Sequence, residues 1–220
     1  YILFKCWKFG FGNLLFLLIS VRKDLNSIMH LLLNKNYSHN LLENDNYKNT
    51  VFNKVFVKFT EIKDKTFIDC NFVEVDFGET DVINSKFINC NFTNCTLHHT
   101  NFKNCLFENI NASNFDLRAG LLVQNTFKDC IFFSSCFRGS KFKENDICNF
   151  ISNYCDMKNI IFEKNKYETV LHKFSNLFKS KFIDENLKMV DFQDCNNFLC
   201  IYENSTNFEN LNIDKHSIIK

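Results

Sequence analysis

A repeat solenoid is the fold class that the sequence predicts, and two features of residue spacing predict it. Large apolar residues recur at every fifth position from Phe52 to Tyr202, as in Phe52, Val57, Ile62, Phe67, Phe72, Phe77, Val82 and Phe87. Of these 31 positions, 27 hold Val, Ile, Leu, Met, Phe or Tyr, the exceptions being Ala112, Ser152, His172 and Asn197. Those six types make up 86 of 220 residues, so random order would fill only about 12 positions. Two residues before each large position sits a smaller class, among them Cys70, Thr80, Ser85, Cys90, Cys95 and Thr100. A helix repeats at 3.6 and a half-buried strand at 2.0, so neither produces a period of five.

Composition narrows the field further. Lys and Arg number 26 against 25 Asp and Glu, which leaves no net field to steer nucleic acid. The chain holds 28 Phe, 33 Asn, 5 Gly and no Pro, which excludes collagen-like and Pro-rich disordered classes. Scarcity of residues with GC-rich codons points to an AT-rich genome, a bias that favours Asn and Lys without any functional cause.

The small-polar-large pattern, as in Phe87-Ile88-Asn89-Cys90-Asn91-Phe92-Thr93-Asn94-Cys95, closely resembles the pentapeptide-repeat family. The resemblance covers roughly residues 50–204 and departs from the family in using Phe and Cys where Leu and Ala are usual. It implies an all-β fold: a right-handed quadrilateral parallel β-helix, four pentads to a coil, with the large and small positions facing inward.

Three elements follow in chain order. In residues 1–35, the apolar run Phe9–Val21 is flanked by Lys5, Lys8, Arg22 and Lys23. It is shorter than the ~20 residues that span a bilayer, and about as long as a signal-peptide core. Leu25, Ile28, Met29 and Leu32 then fall at helical spacing, so a short helix capping the open first coil is expected. The alternative is a targeting segment that contacts a membrane through residues 9–21. Residues 36–204 form the β-helix. In residues 205–220 the large residues fall one place late, at Phe208, Ile213 and Ile218, which predicts a bulge near 203–206 and a phase-shifted last coil or cap.

Within the repeat, the exceptions carry information. Ala112, Ser152 and His172 differ by multiples of 20, so a 20-residue coil stacks them on one side. Where the large position shrinks, its small partner grows: Ile110 with Ala112, Phe150 with Ser152, Val170 with His172. Cores tolerate exchange at constant volume far better than deletion.

Candidate chemistry is sparse. Cys90, Cys95, His98, His99 and Cys105 resemble a zinc set on paper, but the cysteines occupy inward positions and the histidines outward ones, so they cannot converge tetrahedrally. Eight of eleven Cys (70, 90, 95, 105, 130, 155, 195 and 200) fall in the small position. Free thiols there imply a reducing compartment such as the cytoplasm, with neither metal nor cofactor. His172 reads as a core residue, and no nucleophile, metalloprotease or phosphate-loop motif is present. An enzyme is therefore not expected. The acidic stretch Asp64, Asp69, Glu74, Asp76, Glu79 and Asp81 reads as a solvated face.

One outward column stands apart. Arg118, Arg138 and Lys158 fall one coil apart, followed by Phe178 and Phe198, with Tyr154 and Phe174 on the adjoining corner. Asp116 and Asp156 are placed to neutralise the cations, and the aromatics form a patch beside them. These seven residues are the candidate partner-binding surface of a noncatalytic structural or protein-interaction module, the partner being another protein and not nucleic acid. A DNA-mimicking, topoisomerase-binding role, as some members of the family have, needs an acidic rod. Here residues 50–205 hold 18 cations against 20 acids.

Overall fold

The computed structural model describes residues 30–37, 42, 44–207, 211, 213 and 215–220, and these form a parallel β-solenoid of about nine turns with no helix among them. Each coil advances the chain by 20 residues: His30 pairs with Thr50, Ile151 with Leu171, and Phe162 with Phe182. One sheet of nine strands runs down one side, from Glu61–Lys63 to Ile218–Ile219. A twelve-stranded sheet covers two adjoining sides, because the strands Leu106–Ser113, Thr126–Phe133, Asp146–Asn153 and Lys166–Lys173 continue around the corner between them. The fourth side is a column of single parallel bridges, Asn36 to Phe56, then Asp76, Thr96, Asp116, Cys136, Asp156, Asn176 and Asn196.

Of the 31 large positions, 30 are buried; Tyr167 is half-buried. In-register stacking puts like residues over one another, so the Phe side chains form ladders. Phe52, Phe72 and Phe92 stack with centroids 4.8 and 4.7 Å apart, and Phe67, Phe87, Phe107 and Phe127 do so at 4.8, 5.2 and 4.8 Å. The small positions do more than save space. Their thiols and hydroxyls donate to a carbonyl 23 residues back: Cys90 Sγ to Phe67 O at 3.5 Å, Thr80 Oγ1 to Val57 O at 2.7 Å. Alanine could not supply that donor, so Cys, Ser and Thr are chosen for hydrogen bonding as well as size.

The corners explain much of the asparagine. Among the described residues, 32 non-glycine positions have positive φ, and Asn or Asp fill 17 of them. Short polar side chains tolerate that left-handed conformation better than other L-residues. At several corners they also bond between coils, as where Asn89 donates to Asp69 and Asn109 to Asn89, both at 3.0 Å. Asparagine is therefore rich here for a conformational reason in addition to codon bias.

At the ends, the structure and the sequence expectations differ. The apolar run 9–21 and the start of the expected helix lie outside the described residues. The helix does not extend to Leu32, because His30–Leu33 is a strand paired with Thr50–Asn53. No bulge interrupts 203–206: Ser205 stays buried and Thr206 still pairs with Asn186 at the 20-residue interval. The shift comes later, since Ile218 and Ile219 pair with Ile201 and Tyr202, 17 residues back. Hydrophobic phase located a change of register but not its position or sign.

Candidate interaction face

The side built on the single bridges presents two outward residues per coil, at the Asp116 and Arg118 positions and their equivalents. Arg118 donates from Nε and Nη2 to Asp116 of its own coil at 2.9 and 2.6 Å. Arg138 instead reaches one coil forward, to Asp156, with Nη2 at 2.6 Å and Nε at 3.2 Å. Lys158 lies beside that same carboxylate, its backbone N–H donating to Asp156 Oδ1 at 3.2 Å. The acids thus neutralise part of the basic column, and both guanidiniums stay half-exposed. Exposed pairs of this kind contribute little stability, so they shape the surface more than they hold the fold.

Further along the rod, Phe178 stacks on Phe198 at 6.0 Å, and Lys179 lies 5.1 Å from the Phe178 centroid. Phe178 is half-buried and Phe198 exposed. In the described part of the C-terminal segment, His216 meets Phe198 edge-on at 5.1 Å, and Ile218–Ile219 continue the neighbouring sheet. Phe198 keeps 37% of its surface open beside this contact.

Tyr154 and Phe174 occupy the corner where this side meets the twelve-stranded sheet. Both have left-handed backbones, with φ of 54° and 49°, as does the whole column, which other coils fill with Asn34, Lys54, Glu74, Asn94, Asn114, Ser134 and Asp194. A bulky side chain is strained there. Yet both rings are exposed, at 56% and 42%, and stack at 5.0 Å. The aromatic column is longer than the sequence suggested, because Phe133 meets Tyr154 edge-on at 5.7 Å. Behind it, Ile131, Ile151 and Leu171 lie in register on adjacent strands and at least partly open to solvent. Asn153 Oδ1, within this patch, is covered but has no hydrogen-bond partner. Sequence reasoning missed these residues because it followed the inward period. Stepping 20 residues along the outward column 131, 151 and 171 would have found them.

Elsewhere the candidate chemistry resolves into structure. Cys90, Cys95 and Cys105 are buried inside the coil, and among the described residues no three His, Cys, Asp or Glu side chains are placed to hold a metal. The ten described cysteines are free thiols. His172 is buried, with Nδ1 2.7 Å from Ser152 Oγ, and burial pushes it down to about 4. The early acids are spread over surface contacts: Asp76 pairs with Lys58 at 3.0 Å, and Asp64 accepts from Asn84 at 3.1 Å.

A buried polar ladder went unread in the sequence. Asn125, Asn145, Asn165 and Glu185 fill successive small positions one coil apart, all nearly inaccessible. Each amide donates to the side chain of the next coil: Asn125 to Asn145 at 3.1 Å, Asn145 to Asn165 at 2.9 Å, Asn165 to Glu185 at 2.8 Å. Glu185 ends the series. Burial pushes its carboxyl up to about 7, while hydrogen bonds from Asn165 and Tyr167 pull the other way.

A family model described as Pentapeptide repeats matches residues 70–109 in eight copies. No curated protein sequence matches the chain. Among solved structures, a trypsin-treated form of QnrB1, a plasmid-mediated fluoroquinolone resistance protein, is similar with 15% identity and a TM-score of 0.45, over 87% of this chain and 91% of that one. HetL, a pentapeptide repeat protein involved in heterocyst differentiation regulation from the cyanobacterium Nostoc sp. strain PCC 7120, is similar with 10% identity and a TM-score of 0.44, over 80% of this chain and 84% of that one. Residues 70–109 therefore carry pentapeptide repeats, and the same five-residue geometry continues on both sides of them.

Proposed function

We propose that this chain is a noncatalytic protein-interaction module whose binding surface is centred on the Tyr154–Phe174 corner. The observation that carries the reading is the run of exposed, mutually contacting rings at that corner. Phe133, Tyr154 and Phe174 lie ring against ring down three coils, at 5.7 and 5.0 Å, and all three stay exposed. Clustered exposed rings beside aliphatic side chains are a recognised interface composition. The corner joins two suitable flanks: Ile131, Phe133, Ile151 and Leu171 on one side, and Arg118, Arg138, Lys158, Phe178 and Phe198 on the other. The partner that fits is a protein with an apolar centre rimmed by acidic side chains. Free thiols at the ten described cysteines support a reducing compartment.

The test replaces both rings with the residue that the corner prefers. Tyr154→Asn with Phe174→Asn relieves strain but loses ring contacts, terms of about 1 kcal/mol each that nearly cancel. Urea unfolding should therefore shift by less than about 1 kcal/mol, while retention of the partner by immobilised protein falls to background. A stability loss above about 2 kcal/mol would show that the rings serve the fold. Undiminished capture by a stable variant would remove the corner from the interface.

A further inference from the structure

We propose that the groove over Cys136 receives one carboxylate, an Asp or Glu side chain of the bound protein, between Arg118 and Arg138. This rests on the interaction function above and specifies the chemistry of one contact. The groove encloses about 280 Å³ and is lined by Asn114, Asp116, Arg118, Ser134, Cys136 and Arg138.

The bridge column alternates acids with neutral residues here: Asp76, Thr96, Asp116, Cys136, Asp156. In the bridge column, Asp76, Asp116, Asp156, Asn176 and Asn196 each accept from the backbone N–H two residues on, at 2.9 Å for Gly78 and 3.2 Å for Arg118, Lys158, Phe178 and Phe198. Cys136 stands in the same column, bridged to Asp116 and Asp156, but brings sulfur in place of a carboxylate. Burial raises its thiol above the ordinary value, so it is neutral and cannot serve as an anion.

The two arginines on either side of the neutral rung take different acids. Three cations, Arg118, Arg138 and Lys158, share two acids, Asp116 and Asp156. Arg118 is held by the acid of its own coil; Arg138, whose own coil has none, leans forward to Asp156. The two guanidiniums part on either side of Cys136. Each uses only Nε and Nη2 on its Asp, which leaves the Nη1 group for a second acceptor. A carboxylate seated there would meet charge-assisted donors from two arginines.

The chain has three arginines, so the side-chain Nε–H resonances of Arg118 and Arg138 are readily followed by NMR. The probes are a tetraglutamate peptide and, separately, inorganic phosphate at matched ionic strength. The peptide should shift both resonances with a Kd in the millimolar range or tighter. Cys136→Asp places a carboxylate of the chain itself in the gap, and should weaken the peptide at least tenfold, about 1.4 kcal/mol, without lowering the unfolding midpoint. Cys136→Ser should leave binding unchanged. The proposal falls if the peptide shifts neither resonance by about 10 mM, or if Cys136→Asp binds it as well as the native chain does. A response to phosphate without one to the peptide would overturn the assignment to a protein carboxylate. Partner capture separates the two readings: loss in the Tyr154 and Phe174 variant, with full retention in Cys136→Asp, would sink this inference and keep the interaction function.

Discussion

Replacing Glu185 with Gln should stabilise the fold by about 3 kcal/mol at pH 8 and by almost nothing at pH 4. Glu185 is 1% exposed, and its carboxylate accepts from Asn165 N at 3.2 Å and from Asn165 Nδ2 at 2.8 Å. The groups that face it are Asn165 and Tyr167 as donors, Ser205 at its backbone, and Asp184 as a like charge. Burial outweighs the donors and lifts the carboxyl from 4.5 to about 7. The folded chain therefore holds the proton more tightly than the unfolded chain does. Below about pH 4.5 both states are protonated and the group contributes in full. As pH rises through 7 the contribution is lost, and a difference of 2.5 units corresponds to about 3 kcal/mol. Gln continues the amide ladder without a charge to desolvate. Urea unfolding from pH 4 to 8 checks this. A difference between variant and native chain that does not grow with pH would show that the carboxylate is adequately solvated in the fold.

The native chain should conceal this slope, because His172 supplies the opposite one. Burial pushes it from 6.5 to about 4, so its stability contribution is present above pH 6.5 and is lost as pH falls towards 4. The two groups are displaced from their unfolded values in opposite directions and by similar amounts. Their summed effect is nearly flat between pH 4 and 8, and only removal of Glu185 exposes the acid-side loss due to His172. Both side chains are buried inside the coil, so this titration belongs to the interior of the rod.

How much of this was legible in the sequence follows from the symmetry of the fold. Parallel stacking gives every coil the same interior, so one rule, large residues at Phe52, Val57, Ile62 and onward, holds for 150 residues and reads clearly against chance. No such rule binds the outside. Ile131, Ile151 and Leu171 occupy three rungs of a column whose other members include Asn91, Asn111 and Asp191, so the patch has no period along the chain. The column holding Arg118, Arg138 and Lys158 was legible as an alignment, but which acid each cation takes depends on how far a guanidinium reaches across coils. Asn125, Asn145 and Asn165 were visible letters in small positions. Their role was not, because a buried amide is stable only where the coil above offers a partner, and that is a property of stacking. At the C-terminal end the hydrophobic phase misled, since a coil shortened to 17 residues and a one-residue insertion both displace large residues.

Phe115→Ala should cost about 3–5 kcal/mol, and Ala112→Phe in the same chain should restore more than half of that. The ladder Phe72, Phe92, Phe132 lacks a rung at Ala112. Phe115, a large residue in a small position, fills it from the next side, its ring 5.5 Å from both Phe92 and Phe132 and edge-on to each. Ile110 contributes the remaining volume, and the interior there keeps a void of only about 10 Å³. Removing the Phe115 ring opens a cavity walled by stacked strands whose spacing is fixed by the sheet, so it cannot collapse, which places the cost at the upper end of the range for such deletions. Ala112→Phe alone adds a ring to an occupied space and should cost about 1–3 kcal/mol. Together the two changes restore the arrangement of every neighbouring coil, a large residue at 112 and a small one at 115. Urea unfolding of the four chains forms a double-mutant cycle with an expected coupling of at least about 2 kcal/mol. Additive losses would mean that Phe115 does not occupy the missing rung, and that the exchange of large and small positions along this side has no basis in volume.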